Sequence, residues 1–261
     1  MRPIIENYGI GKAAVMAIQA GADMILILWS RERQLEVFNA LKDAVAKKQI
    51  SEKRIDESLR RILTIKKKRG LFGETLIPAV QLSKFLDNPL HNEIVSEIAA
   101  KSLTLVKNDP RQIPFAQNEK ILSVSHLGYF NSWLSKMSKN VQLKGLTSFP
   151  TDQQIEDEAN VIAVIAKRYD KIVFSVVNNY QVRLLEMLKG RVDFSKVIVV
   201  SFGSPYLLSN FPEVSAYLCG YSYLNPSQKA AALALFGKTK VTGKLPVTLP
   251  NYFPFGHFSR L

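Results

Sequence analysis

The first seventy residues alternate between helix-like and strand-like hydrophobic patterns. Lys12–Ala20 is rich in alanine and predicts a helix, whereas Asp23–Leu28 is a short run that is almost entirely apolar. A continuous apolar run of this length predicts a strand buried on both faces, as in a parallel sheet flanked by helices. Apolar residues at helical spacing predict two further helices, Arg31–Lys48 and Ser51–Arg69. These elements form one βα unit and a trailing helix, which cannot close a hydrophobic core by themselves.

A longer alternation begins at Asn88. The preceding stretch, Leu71–Asp87, has little periodicity and is predicted as a linker. Beyond it, strand-like runs alternate with helical stretches, which indicates a mainly parallel sheet covered by helices on both faces. The predicted strands are Leu103–Lys107, Lys120–Ser125, Val141–Leu143, Lys171–Val177, Lys196–Phe202, Ala216–Gly220 and Lys244–Val247. The predicted helices are Pro89–Lys101, Asn131–Ser138, Asp152–Lys167, Gln181–Lys189 and Pro226–Phe236, with a helical turn at Pro205–Asn210.

The net charge of +13 raises the question of a polyanionic partner. The densest basic run, Lys66–Arg69, ends a predicted helix just before Gly70, where cations complement the helix dipole and glycine suits the C-cap. No aromatic residue alternates with these lysines to stack on bases, so nucleic-acid binding is not predicted. The longest apolar run, Ala22–Trp29, is far shorter than the ~20 residues that a membrane-spanning helix needs. A membrane span is therefore not predicted.

Cysteine and glycine patterns argue against metal and cofactor sites. A single cysteine, Cys219, excludes an internal disulfide and a cysteine zinc cluster, and its apolar surroundings predict a buried, inert thiol. Gly9–Ala14 matches the GxGxxA pattern of dinucleotide sites, but that pattern follows a strand, and here Pro3 interrupts the few preceding residues. Neither a cofactor nor a metal is predicted.

Three sets of polar residues could carry chemistry. His126 follows the strand Lys120–Ser125 and could face a ligand crevice, although a lone histidine at a strand end is more often structural. Ser201 and Ser204 lack both the G-x-S-x-G pattern and a histidine placed as base, so a nucleophile elbow is not predicted. Three neighbouring carboxylates, Glu156, Asp157 and Glu158, lie in a predicted helix. Because consecutive helical residues point in different directions, they are not predicted to converge on one catalytic site, and an exposed helix face explains them.

Two sets of motifs follow one another along nearly the whole chain. The first comprises Met1-Arg2-Pro3-Ile4, Tyr8-Gly9, Ala17-Ile18-Gln19-Ala20-Gly21-Ala22-Asp23-Met24, Arg54-Ile55-Asp56-Glu57-Ser58 and Gly70-Leu71-Phe72. The second comprises Lys101-Ser102-Leu103-Thr104-Leu105-Val106-Lys107-Asn108, Ile113-Pro114, Phe202-Gly203-Ser204-Pro205-Tyr206 and Thr242-Gly243-Lys244-Leu245-Pro246-Val247. Together they resemble glycoside hydrolase family 3, and the stretch that begins at Phe202 is similar to its β-N-acetylhexosaminidase branch.

The resemblance implies an α/β fold in two parts. Residues 1–70 would be the last βα unit and exit helix of a (β/α)₈ barrel, residues 71–87 a linker, and residues 88–261 a flavodoxin-like α/β/α sandwich with a mainly parallel sheet. This chain would then be the C-terminal portion of a two-domain sugar hydrolase.

The resemblance also places most of the catalytic machinery outside this sequence. It implies a nucleophilic aspartate four residues before Met1 and an acid/base histidine on an earlier barrel loop, which His91, His126 and His257 do not match. Met1 and Arg2 are the residues expected to line the substrate site, and no catalytic residue is predicted. Retaining hydrolysis needs both groups, so the chain alone is predicted to be inactive.

Three hypotheses for function remain open. The first is a β-N-acetylhexosaminidase acting on terminal N-acetylglucosamine of peptidoglycan or chitin fragments, which would bind an amino-sugar oligosaccharide only when the missing barrel is supplied. The second is a non-catalytic remnant or interaction domain that needs a partner chain. The third, a nucleotide-binding flavodoxin-like module, rests on fold analogy alone. Self-association through exposed barrel surface is also predicted.

Overall fold

A computed structural model describes residues 2–28, 30–73, 86, 88–108 and 112–259. The chain divides into two units, Met1–Ser83 (unit 1) and Lys84–Leu261 (unit 2), and each is described by itself. The predicted linker Leu71–Asp87 falls largely on residues 74–85 and 87, which lie outside the described part. The predicted division into domains therefore stays a prediction.

The described part of unit 1 consists of helices. They are α1 (Arg2–Tyr8), α2 (Ile10–Gln19), α3 (Arg31–Ala46) and α4 (Glu52–Lys68). The hydroxyls of Ser30 and Ser51 accept the backbone N–H groups of Arg33 and Arg54 at 3.2 Å, which caps α3 and α4. Gly70 ends α4 with a φ of 71°, which glycine adopts without a steric cost. Helix α1 was not predicted, although proline is tolerated in a first helical turn.

The prediction of a strand at Asp23–Leu28 is wrong for this structure. Residues 24–28 belong to no strand, and the described part of unit 1 contains no other strand with which they could pair. A strand is defined by hydrogen bonds to a neighbour, so an apolar run alone cannot form one.

The core of unit 1 is small. Ile18, Ala44 and Ile50 are buried, and α2 packs closely on α3 at Gly11. A Cβ at Gly11 would lie 2.9 Å from the Cβ of Ala40, closer than real carbon atoms approach. Gly11 therefore serves helix packing, and the GxGxxA pattern joins two helices rather than following a strand.

Unit 2 is built on a six-stranded sheet, which confirms the predicted mainly parallel sheet. The strands follow the order β1-β6-β5-β4-β2-β3, and only β1 is antiparallel to its neighbour. They are β1 (Thr104–Asn108), β2 (Ile121–Ser125), β3 (Val141–Gly145), β4 (Lys171–Val176), β5 (Val197–Ser201) and β6 (Ala216–Cys219).

Helices cover both faces of this sheet. They are α5 (Pro89–Ser102), α6 (Gly128–Met137), α7 (Asp152–Ile165), α8 (Asn179–Leu188) and α9 (Asn225–Leu235), with 3-10 turns at Ala166–Arg168, Phe194–Lys196 and Pro205–Asn210. Alternate strand residues point to opposite faces, so one hydrophobic cluster joins the sheet to α7 and α8 and the other joins it to α5, α6 and α9.

The predicted strand Lys244–Val247 is also wrong. This stretch instead belongs to a C-terminal tail in which the N–H of Leu245 donates to the carbonyl of His257 at 2.9 Å. The tail then runs against β1: His257 Nε2 and Ser259 Oγ lie 2.9 and 3.1 Å from the carbonyl oxygen of Val106. The tail therefore bonds to β1, which stands at the edge of the sheet.

Candidate functional site

The residues predicted to line a substrate site stand at the start of the chain. Met1 lies outside the described residues, and Arg2 begins α1 with a side chain that also lies outside the described part. Their role in substrate binding stays a prediction.

An exposed apolar surface follows residues 24–28, here called the apolar segment. The side chains of Met24, Leu26 and Leu28 are 71%, 83% and 73% exposed. Isolated exposed apolar residues are ordinary, but a contiguous row indicates a surface that another element covers.

Cavities lie on both sides of the apolar segment. One of about 480 Å³ opens toward α1 and α2, and one of about 580 Å³ opens toward α3 and α4. Their linings are mainly aliphatic, and Arg33 is the one charged residue of the first. Sugar sites need convergent polar groups to fix the hydroxyls, so these cavities suit hydrophobic packing better than substrate binding.

The apolar segment is anchored to α4 by a polar cluster, here called the Asp23 cluster and made of Asp23, Arg54, Ser58 and Arg61. Asp23 Oδ1 accepts hydrogen bonds from Ser58 Oγ at 2.8 Å, Arg54 Nη1 at 3.1 Å and Arg61 Nη1 at 3.0 Å. Arg54 also donates through Nη2 to the carbonyl of Ala22 at 3.0 Å. The three donors stand four and three residues apart, so they share one face of α4.

This environment makes Asp23 a structural carboxylate. The hydrogen bond from Ser58 lowers the pKa of Asp23 most, and Arg54 and Arg61 lower it further against the opposing effect of burial. An acid/base catalyst needs a pKa near the working pH, and a nucleophile needs a free oxygen facing the substrate. Asp23 lies in one sequence motif and Arg54 and Ser58 in another, and the motifs alone did not indicate their contact. The helical spacing of Arg54, Ser58 and Arg61 was the signal for it.

In unit 2, His126 lies at the switch point of the sheet. It directly follows β2, whose two neighbours, β3 and β4, are reached in opposite directions along the sheet, and ligands of doubly wound folds bind at such points. The ring is half-buried, and its Nδ1 has no hydrogen-bond partner among the described residues. Burial lowers the pKa of His126, so the neutral ring dominates at neutral pH.

Local hydrogen bonds close the sheet edge around His126. Ser125 Oγ and Ser175 Oγ are 2.5 Å apart, joining the ends of β2 and β4. Gln181 Oε1 accepts the N–H groups of Val177 and Asn178 at 3.3 and 3.1 Å. These polar side chains are occupied by hydrogen bonds within the protein. This edge of the sheet therefore has the character of a structural loop region rather than of an open catalytic cleft.

The other candidate residues lie apart from one another. The hydroxyl of Ser201 donates to the carbonyl oxygen of Ser204 at 3.1 Å, so this hydrogen bond is to the backbone and not to a histidine. Burial raises the pKa of Cys219, so the thiol stays protonated, as predicted for an inert cysteine. His91 is exposed on α5, whereas His257 stacks on Phe253 with ring centroids 4.2 Å apart.

The carboxylates of α7 form a solvated helix face, as predicted. Glu156 is exposed, Asp157 accepts from Gln153 at 3.1 Å, and Glu158 accepts the N–H of Thr147 at 3.1 Å. Within the described residues, no cluster of His, Cys, Asp or Glu could hold a metal ion. The same residues include no helix that is long and apolar enough to span a bilayer.

Comparison with known proteins finds similarity to one family and to several of its members. Residues 1–65 match the family described as glycosyl hydrolase family 3 N terminal domain. The β-N-acetylglucosaminidase/β-glucosidase of Cellulomonas fimi is 26% identical and aligns with 90% of this chain and 45% of its own length. The β-hexosaminidase A of Pseudoalteromonas piscicida is also 26% identical and aligns with 95% of this chain and 48% of its own length.

A solved structure is similar to nearly the whole chain. A family 3 β-N-acetylglucosaminidase from Paenibacillus superposes with a TM-score of 0.66 at 27% identity, covering 96% of this chain and 49% of the other. The chain thus spans about half the length of the relatives that it matches.

Proposed function

Because this chain belongs to glycoside hydrolase family 3, we propose that it is the C-terminal portion of a β-N-acetylhexosaminidase that releases terminal N-acetylglucosamine from peptidoglycan or chitin fragments. The observation that carries the proposal is the similarity to the Paenibacillus β-N-acetylglucosaminidase over 96% of this chain. The two curated relatives support the same substrate class, because they are named β-N-acetylglucosaminidase/β-glucosidase and β-hexosaminidase A.

Unit 1 fits the end of a (β/α)₈ barrel in this proposal. Helix α2, the apolar segment and α3 follow one another as helix, strand and helix do in such a barrel, and the Asp23 cluster joins the segment to α4. Each barrel strand pairs with a neighbour on both sides. The cavities beside the apolar segment leave space for two such neighbours, which would bury Leu26 and Leu28.

Unit 2 fits a flavodoxin-like sandwich. Strands β2 to β6 are mutually parallel and run in the order β3-β2-β4-β5-β6, which is the 2-1-3-4-5 order of that fold. The antiparallel β1 is added at the outer edge beside β6. Helices on both faces agree with this assignment.

The chemistry of retaining hydrolysis indicates which part of the enzyme carries each catalytic group. One carboxylate attacks the anomeric carbon and another group protonates the leaving oxygen, and the two lie only ~5 Å apart in most retaining enzymes. We place the nucleophile four residues before the position of Met1 and the acid/base histidine on an earlier barrel loop. Unit 1 would then support the end of the barrel through the Asp23 cluster, while Met1 and Arg2 border the sugar.

A second candidate function is a non-catalytic interaction domain that works with a partner chain. The observation in its favour is the exposed apolar segment, in which Leu26 is 83% exposed. A partner that supplied only strands would bury this surface without providing a nucleophile. Both functions predict that the chain alone does not hydrolyse substrate.

A fusion with the first half of a related enzyme distinguishes the two proposed functions. The first half of the Paenibacillus enzyme would be joined before Met1, and release of 4-nitrophenol from its N-acetyl-β-glucosaminide would be measured. We expect no turnover by the chain alone and clear turnover by the fusion, lost when the aspartate four residues before Met1 is replaced by asparagine. A fusion that folds and remains inactive would favour the interaction domain. Turnover by the purified chain alone would contradict the assigned active site.

A further inference from the structure

An aromatic and basic patch lies where α6 packs against α9 in unit 2. It consists of Tyr129, Trp133, Lys136 and Lys229, and is called the Trp133 patch below. The ammonium groups of Lys136 and Lys229 lie 4.9 and 4.8 Å from the centroid of the Trp133 ring. The ring of Tyr129 approaches that of Trp133 edge-on, with centroids 6.4 Å apart. Both lysines and Tyr129 are exposed.

The two lysines of the patch carry uncompensated charge. Neither forms an ion pair with a carboxylate in the part of the chain that the structure describes. Their ammonium groups both lie within 5 Å of one ring centroid, so two like charges share this ring and repel each other. The cation–π contacts offset part of this repulsion, and an anion between the lysines would remove it.

The sequence around the patch contains no acidic residue that could provide the missing charge. No Asp or Glu occurs in residues 120–151 or 214–261, whereas these two segments carry nine Lys and Arg residues. The first segment supplies α6 and the second supplies α9. The two segments that supply α6 and α9 therefore carry a net positive charge.

The patch stands on a fixed scaffold and offers further groups to a ligand. Gln228 accepts the N–H of Phe130 at 2.8 Å and donates to the carbonyl of Tyr223, which joins the first turn of α6 to the start of α9. The backbone of Tyr223 is therefore held at the same junction, and its side chain is exposed. Trp133 itself is half-buried, and its ring is the platform over which the two ammonium groups lie.

We propose that the Trp133 patch binds carboxylated amino-sugar polymers. The lysines would pair with carboxylates, while Tyr129 and Tyr223 present flat aromatic surfaces to sugar rings. Nucleic acid fits less well, because the patch has no arginine fork for phosphate and its indole ring is already engaged by two ammonium groups. The choice of an amino-sugar polymer over other polyanions rests on the proposed function. Binding of the polymer to the Trp133 patch can nevertheless be measured without any hydrolysis.

Binding of hyaluronan fragments tests the proposal, because these alternate a carboxylated sugar with N-acetylglucosamine. Affinity would be measured on the full chain in a Trp29→Phe background, so that the fluorescence of Trp133 reports contact at the patch. The test variant is Lys136→Gln/Lys229→Gln. The matched control is Lys167→Gln/Arg168→Gln, which removes the same charge from an exposed turn after α7.

We expect hyaluronan to change the Trp133 fluorescence, and the test variant to bind about tenfold more weakly while the control stays within about twofold of the parent. Equal losses in both variants would overturn the proposal in favour of general charge attraction. Chitin hexasaccharide binding as tightly as hyaluronan would overturn the requirement for carboxylates. Duplex DNA binding more tightly than hyaluronan would assign the patch to nucleic acid. Failure of the fusion enzyme to turn over substrate would leave these outcomes unchanged.

Discussion

At the scale of single residues, side chains that are far apart in sequence decide how polar groups are used. Asp23 meets Arg54 and Arg61 across 31 and 38 residues, and these contacts turn a carboxylate beside an apolar segment into a structural anchor. The motifs alone identified the residues but not the contact, because partners at such separations depend on how the helices pack. By contrast, the buried thiol of Cys219 followed from its apolar neighbours alone.

Replacement of Asp23 by asparagine should make the stability of unit 1 less sensitive to acid. The pKa of Asp23 lies below its ordinary value of 3.8, so the ionised group stabilises the folded state above that value, and this contribution is lost as the pH falls through the lowered pKa. We expect Asp23→Asn to exchange α4 amide hydrogens faster than the parent at pH 7, with the difference shrinking below about pH 4. Mass spectrometry at matched pH measures this.

The control for this experiment is Asp43→Asn, an exposed position on α3. Its α4 exchange should match that of the parent at each pH. A difference between Asp23→Asn and the parent that persists at low pH would mean that the carboxylate charge is not what holds the cluster.

At the scale of elements, local signals predicted most of the helices, though not α1, and did not predict strand partners. Helix α4 lies within the predicted range Ser51–Arg69 and ends before Gly70, because helix ends depend on a few adjacent residues. The apolar runs at residues 23–28 and 244–247 look like strands in sequence but have none of the required neighbours. The antiparallel direction of β1 was likewise not predicted, because hydrophobic pattern carries no information on strand direction.

The close packing of α2 on α3 gives a prediction for Gly11. A Cβ there would lie 2.9 Å from that of Ala40, so Gly11→Ala should destabilise unit 1 by about 1–3 kcal/mol through overpacking. Ala40→Gly should restore part of this loss when combined with it, because the clash disappears. Hydrogen exchange of α2 and α3 would give the free energies of opening.

Gly128 provides the matched comparison for Gly11. It is also helical, and a Cβ there would meet no atom within 4 Å. Gly128→Ala should leave unit 2 as stable as the parent or slightly more stable. If Gly11→Ala proves equally harmless, or if Ala40→Gly adds to its cost, the close contact between the helices is not what requires glycine.

At the scale of the whole molecule, the two units differ in how complete their cores are. Unit 2 buries large side chains on both faces of a six-stranded sheet. Among the described residues of unit 1, the buried hydrophobic side chains are Ala14, Ile18, Val37, Ala44 and Ile50. Sequence reasoning anticipated this difference, because an isolated βα unit has too little apolar surface to bury. It did not anticipate the Trp133 patch, which depends on α6 and α9 lying side by side.

Limited proteolysis should therefore leave a resistant fragment that starts between about Leu71 and Glu93. We also expect the intact chain to self-associate through the apolar segment, where Leu26 is 83% exposed. Leu26→Lys should shift sedimentation toward the monomer, whereas Val164→Lys, a change at a 61% exposed position on α7, should not. A monomer in which protease spares the first seventy residues would contradict this description of unit 1.

The bonding of the tail to β1 has a consequence for biosynthesis. Leu105 and Val106 emerge from the ribosome about 150 residues before Ser259, the residue whose N–H and hydroxyl bond to their carbonyls. During translation, β1 therefore gains its hydrogen-bond partners late, first β6 and then the segment around Ser259. Until the segment around Ser259 has emerged, the outer edge of β1 stays open to chaperones and to neighbouring nascent chains on the same messenger.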